Sequence, residues 1–241
     1  MPTKPKLKIA AFVLLIACVA LLLATCVNAA PTGGKSVPFD ELVIVVDAGH
    51  GDTDVGAIGA FTGRYEKEIN LEIALKLQAA LQSRGATVIM TRSSDAPLGP
   101  ADEGDIALRK ENDMLAREEI IERARAHLVI SVHQNSFEDP DVKNPQLFYL
   151  KNNDTGEEAG KAFCEVMQQT INSDLNIRDG RGISYGNWRL LKKGNQPGCI
   201  LECGFLTNQE EELLLQDGAY QDKLVEAIVH GVENYIAKYG I

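Results

Sequence analysis

The sequence predicts an α/β domain with a mostly parallel central sheet and helices on both faces. Three observations carry that prediction. Apolar runs of strand length alternate with longer stretches of helical period, the pattern of βαβ units. Several of the runs, such as "LVIVV" at Leu42 to Val46, are apolar throughout. Strands buried on both faces read this way, whereas strands with one wet face alternate. The composition, 45% hydrophobic and 24% charged, is that of an ordinary globular chain able to bury a core.

The elements follow in order. After the strand at Leu42 to Val46, "NLEIALKLQAALQSRG" places Leu71, Ile73, Ala74, Leu75, Leu77 and Leu81 at helical spacing, with Asn70 as a cap and Gly85 as the stop. "TVIMT" (Thr87 to Thr91) is a second strand. Asp105 to Ala126 is a charged helix whose apolar side is marked by Leu108, Leu115, Ile120 and Ile121. "HLVISVH" (His127 to His133) and "QLFYL" (Gln146 to Leu150) are strands, and Glu157 to Asn172 is a helix. "CILECGF" (Cys199 to Phe205) is a strand again, and helices near Asn208 to Leu215 and Tyr220 to Tyr239 close the chain. No internal repeat or low-complexity tract interrupts this order.

The 241 residues suit one domain plus a short extension. Lys4, Lys6 and Lys8 precede an apolar run from Ile9 to Val27, and no acid occurs before Asp40. This is the layout of an export leader, with "VNAA" as a cleavage site. The run also approaches the ~20 residues that span a bilayer. Residues 1–29 are therefore read as a signal peptide or a membrane anchor attached through 9–27. A lipoprotein signal ending at Cys26 is a third reading, weakened by Thr25. Residues 30–40 read as a Gly/Pro/Ser-rich linker and 41–241 as the folded domain. Each reading of the leader puts that domain outside the cytoplasm, secreted or anchored. The net charge of −10 argues against a nucleic-acid partner, which calls for a basic face.

Three cysteines lie beyond the leader. Cys199 and Cys203 would stand about 13 Å apart along one strand, too far for a disulfide. All three, with Cys164, are expected to be small buried hydrophobes.

Ligand sites in open parallel sheets gather at the carboxyl ends of the strands. Two of the four histidines fall there: His50, in "VVDAGHGDTDVGAIG", and His133. Flanking Gly49 and Gly51 permit a sharp turn and leave room beside an imidazole. "GRYEKEIN" adds Glu66 and Glu68 before the first helix. Two imidazoles and one of these carboxylates form the His₂Glu set that holds a catalytic zinc with an open fourth position. Glu202 is the one charge in "CILECGF". A carboxylate in an apolar strand is costly to bury, which suggests a working general base.

The stretches "VDAGHG", "YEKEINL", "MTR", "ISVHQNS" and "ILECGFLTN" resemble the zinc-dependent N-acetylmuramoyl-L-alanine amidases of bacterial cell walls, from about Val43 to the C-terminus. The resemblance implies His50, Glu66 and His133 as ligands of one zinc ion and Glu202 as the catalytic acid/base. It implies peptidoglycan as substrate and hydrolysis of the amide between muramic acid and L-alanine. A single catalytic domain behind a leader, with the long "SSDAPLGPADEGDIALRKEND" segment, is most similar to the spore-cortex amidases. That implies a role in cortex maturation toward muramic-δ-lactam, a lipoprotein activator as partner, and a monomer. The alternatives are a vegetative wall amidase, a zinc peptidase on the stem peptide, and a non-catalytic wall-binding protein. The chain departs from the family pattern at Ala48, Asp52, Ser136, Glu122 and His127.

Weaker candidates surround this set. Asn135 orients substrate or closes its turn. Trp188, with Tyr185, stacks on a sugar or peptide or else fills the core. Asp52 and Asp54 form a D-x-D metal pair or a flexible acidic loop, the commoner case. Arg92 and Arg117 are expected to pair with acids, Glu68 to face solvent, and His127 and His230 to lie on the surface.

Overall fold

The computed structural model describes residues 39–100, 104–151 and 156–240. The leader at 1–29 and the linker as far as residue 38 lie outside the described residues. The first described element is a 3₁₀ turn at Phe39–Glu41, which overlaps the end of what was read as linker. No helix among the described residues is long and apolar enough to cross a membrane.

Among the described residues six strands form one sheet: β1 (Val43–Ala48), β2 (Thr87–Met90), β3 (Leu128–Asn135), β4 (Gln146–Leu150), β5 (Ser184–Gly186) and β6 (Gly198–Phe205), in the order β2-β1-β3-β6-β4-β5. All neighbours pair in parallel except β4 and β6. The helices are α1 (Glu66–Ser83), α2 (Ile106–Ala124), α3 (Glu157–Asp174), α4 (Gln209–Leu215) and α5 (Gly218–Tyr239).

Alternate residues of each central strand feed opposite faces. In β1, Ile44, Val46 and Ala48 join the larger core, with α1, α3 and α5 packed over it. Val45 joins a smaller core with Ile121 of α2 and the turn at Leu190–Lys192. The fully apolar strands are thus buried on both faces, as their composition predicted. Cys164, Cys199 and Cys203 are buried free thiols in the larger core.

Two helices differ from expectation. α1 starts at Glu66, four residues before Asn70, which is fully buried inside the helix and caps nothing. The cap position, Tyr65, supplies no side-chain bond. The first-turn N–H groups of Glu66 and Lys67 instead donate to Ala57 O (2.9 Å) and Val55 O (3.2 Å). A folded loop thereby does the work of a cap. In α2, Leu108 and Leu115 are exposed and the sheet-facing side is Arg117, Glu118 and Ile121. The reason is that α2 also meets acids and carbonyls at the strand ends, through Arg109, Lys110 and Arg117, while Ile121 keeps its apolar contact.

Candidate metal centre

β1 ends in a tight loop after Ala48, and the loop's shape is set by a clamp of two arginines. Arg92 donates to Ala48 O (2.7 Å), Gly49 O (3.0 Å) and Lys67 O (2.7 Å). It was expected to pair with an acid; the loop carbonyls converge on it and take its donors instead. Arg117 meets the expectation. Its guanidinium bonds Asp47 (2.6 Å) and Asp113 (2.7 Å), and also Ala48 O and His50 O. Asp47 is 1% exposed and accepts from Thr91 Oγ1, Ser131 Oγ and Arg117. Burial pushes its pKa up, but the Arg117 charge and the two hydroxyls outweigh burial and hold it at about 2.

Under this clamp His50 takes a left-handed conformation, φ 61°, which costs a non-glycine residue roughly 1–2 kcal/mol. The neighbouring glycines have a steric role. A Cβ on Gly49 would stand 2.3 Å from the imidazole of His133, and one on Gly56 would stand 2.5 Å from Glu66 Oε2. The space they leave serves His133 and Glu66 as much as His50.

β3 delivers His133 beside a register shift that falls between His133 and Asn135. Such bulges re-aim side chains. The first turn of α1 delivers Glu66. Glu66 Oε1 lies 3.2 Å from His50 Nε2 and 3.1 Å from His133 Nδ1, and the two rings meet edge to face at 4.9 Å. One donor atom from each of the three residues falls within 4.8 Å of the others. Glu66 is 3% exposed, and Ala57 N–H, Gln134 N–H and Asn70 Nδ2 fix its oxygens. Asn70 sits one helical turn from Glu66, a relation visible in the sequence only once the helix start is known.

The cluster attracts positive charge. Burial would lower the pKa of His50, but Asp54 and Glu66 outweigh burial and raise it to about 9. Burial would raise that of Glu66, and the two histidines reverse this and hold it well below the usual range. Two nitrogens and a carboxylate oxygen gathered in this way suit a divalent ion of zinc type.

Glu202 of β6 lies opposite His133 in the register. Its Oε2 is buried without a hydrogen-bond partner, and burial raises its pKa to about 7. Glu202 and His133 share a cavity of about 290 Å³ with Met114, Trp188 and Leu190.

The remaining candidates are also placed. Asn135 Oδ1 accepts Ser136 N–H at 2.8 Å, so its side chain closes the turn. Trp188 lines the cavity and packs edge to face on Phe148 at 5.5 Å. The Asp52 carboxylate bonds Arg109 and stands outside the cluster, while Asp54 accepts from His50 Nδ1 at 2.8 Å. Neither acid belongs to the three-residue metal cluster, and the loop is pinned rather than free. Glu68 faces solvent, and exposed His230 pairs with Asp174. His127 is partly buried, not superficial, because its Nδ1 accepts Val43 N–H (3.0 Å) and ties β3 to β1.

With this geometry in place, known proteins can be set beside it. Residues 44–234 match the family described as N-acetylmuramoyl-L-alanine amidase. The germination-specific N-acetylmuramoyl-L-alanine amidase of Bacillus subtilis (strain 168) is 32% identical over 206 residues, 85% of this chain and 84% of that protein. The CwlD amidase of Clostridioides difficile, solved in complex with the GerS lipoprotein, superposes with a TM-score of 0.77 at 33% identity, covering 82% of this chain and 99% of that one. An N-acetylmuramoyl-L-alanine amidase from Clostridium difficile 630 superposes with a TM-score of 0.71 at 29% identity, covering 83% and 100%.

Proposed function

This chain belongs to the N-acetylmuramoyl-L-alanine amidase family and is a peptidoglycan amidase; from that premise we propose a zinc-dependent enzyme that works in the spore cortex. The observation that carries the mechanism is the His50–Glu66–His133 cluster with the unpartnered Oε2 of Glu202 beside it. The three cluster residues would hold one zinc ion. When bound, zinc lowers the pKa of a coordinated water from 15.7 toward about 7 and polarises the scissile carbonyl. Glu202 takes the proton of the attacking water and returns it to the departing alanine nitrogen, so the lactyl carboxyl and the peptide amine are the products. Trp188, on the cavity wall, stacks on a sugar or peptide of the substrate. Replacing His133 by Ala is expected to abolish equimolar zinc retention after dialysis, as read by elemental analysis.

Support for the cortex comes from likeness to the germination-specific amidase. Cleavage there frees the lactyl carboxyl that lactam closure requires. Residues 1–29 export the domain, as a cleaved signal or an anchor, through linker 30–40 to domain 41–241. One chain supplies every cluster residue, so the site needs no second copy of the chain, and a monomer is the state proposed. By analogy with the CwlD complex, a lipoprotein is its partner. Muropeptide analysis of spores lacking the gene tests the cortex role: muramic-δ-lactam should vanish and stem peptides should stay on the muramic acid. Normal lactam with an altered vegetative wall would move the enzyme to that wall.

A further inference from the structure

Both ring nitrogens of His50 have partners. Nε2 faces Glu66, and Nδ1 is 2.8 Å from Asp54 Oδ2. The other oxygen of Asp54 accepts from Lys110 Nζ at 2.7 Å. Lys110 lies on α2, far from the loop in sequence. Its neighbour Arg109 reaches Asp52 in the same loop, and Arg117, two turns along α2, holds Asp47 and the carbonyls of Ala48 and His50. α2 therefore grips the end of β1 at Asp47 and the loop at Asp52 and Asp54; Arg117 reaches the backbone of His50, and the Lys110 contact continues through Asp54 to the ring of His50. We propose that Lys110 and Asp54 are positioning residues for the metal: Lys110 fixes the Asp54 carboxylate, which fixes the tautomer and orientation of the His50 ring.

The physical argument is general. A histidine bound to a metal through one nitrogen commonly donates its other N–H to a carboxylate. That bond makes the ligating nitrogen more basic and holds the ring in place. Orientation matters more here because His50 sits on a strained turn rather than inside a strand. Glycines at 49, 51 and 56 leave the turn little side-chain packing of its own. Asp54 would swing toward solvent without an anchor, since its side chain is 32% exposed, and Lys110 supplies one. The segment carrying Lys110 thus acts on the metal without touching it. The inference rests on the zinc reading above.

The test is zinc affinity of the folded protein, measured by competition with a chromophoric chelator. Lys110→Met and Asp54→Asn are each expected to weaken zinc binding by about tenfold or more, the usual cost of removing a residue that supports a metal ligand. Lys110→Arg should restore most of the affinity. The double variant should bind about as tightly as Asp54→Asn alone, because Lys110 acts through Asp54. The Lys110–Asp54 pair is partly exposed, so added salt should weaken zinc binding in the wild type more than in Lys110→Met. Wild-type affinity in Lys110→Met, or additive losses in the double variant, would overturn the inference and leave the zinc reading intact. Failure of the wild-type protein to bind zinc would overturn both.

Discussion

Glu202→Gln is expected to retain zinc and lose turnover by roughly 10²- to 10⁴-fold, the range a positioned general acid/base contributes. The substitution keeps shape and removes the proton-accepting group. Glu202 has no hydrogen-bond partner at Oε2, so nothing structural depends on that oxygen. Burial raises its pKa to about 7, and the positive charge proposed beside it draws that value down. The attacking step needs the ionised form. Activity should therefore rise with pH through the Glu202 pKa and then level off, and Glu202→Gln should remove that limb from whatever rate remains. Near wild-type kcat in the Gln variant, with zinc bound, would assign the proton transfer to another group.

Asp47→Asn is expected to cost about 3 kcal/mol of stability at neutral pH, the low end of the penalty for breaking a buried ion pair, because Asp113 and two carbonyls stay on Arg117. Arg117 is 2% exposed, and Asp47 is its buried counterion. The pH dependence follows from the sign of the shift. Asp47 falls from 3.8 to about 2 on folding. Its pairing thus contributes about 2 kcal/mol that is present above pH 3.8 and is lost as pH falls toward 2. Urea unfolding of the two proteins should show a wide gap at pH 7 that narrows across that window. A gap that stays constant down to pH 2 would mean that the loss came from packing rather than from the ion pair. The loop that carries His50 hangs from the same arginine, so zinc affinity should fall together with stability.

Most of the architecture was legible because it is written in local patterns. The all-apolar run before Asp47 could only be a strand buried on both faces, and His50, His133 and Glu202 stood out as polar residues where such strands end or are interrupted. Glu66 could be separated from Glu68 only through the family motif. The start of α1 was not legible, since its first N–H groups are met by carbonyls of a loop whose path no local pattern encodes. The inner side of α2 was read rightly at Ile121 and misread at Leu108 and Leu115 for a related reason. Leu108 and Leu115 suggested an apolar face, but the helix turns its Arg109, Lys110 and Arg117 toward acids 56 to 70 residues earlier in the chain. Long-range ion pairs leave no periodicity. The short strand β5 was not foreseen, because three residues show no period.

The most direct test of the account is mass spectrometry of purified peptidoglycan after incubation with metal-depleted protein, with and without added zinc. The account predicts intact stem peptides beginning with L-alanine, together with glycan carrying free lactyl groups, only when zinc is restored. Shortened peptides still attached to muramic acid, or equal release without the metal, would contradict it.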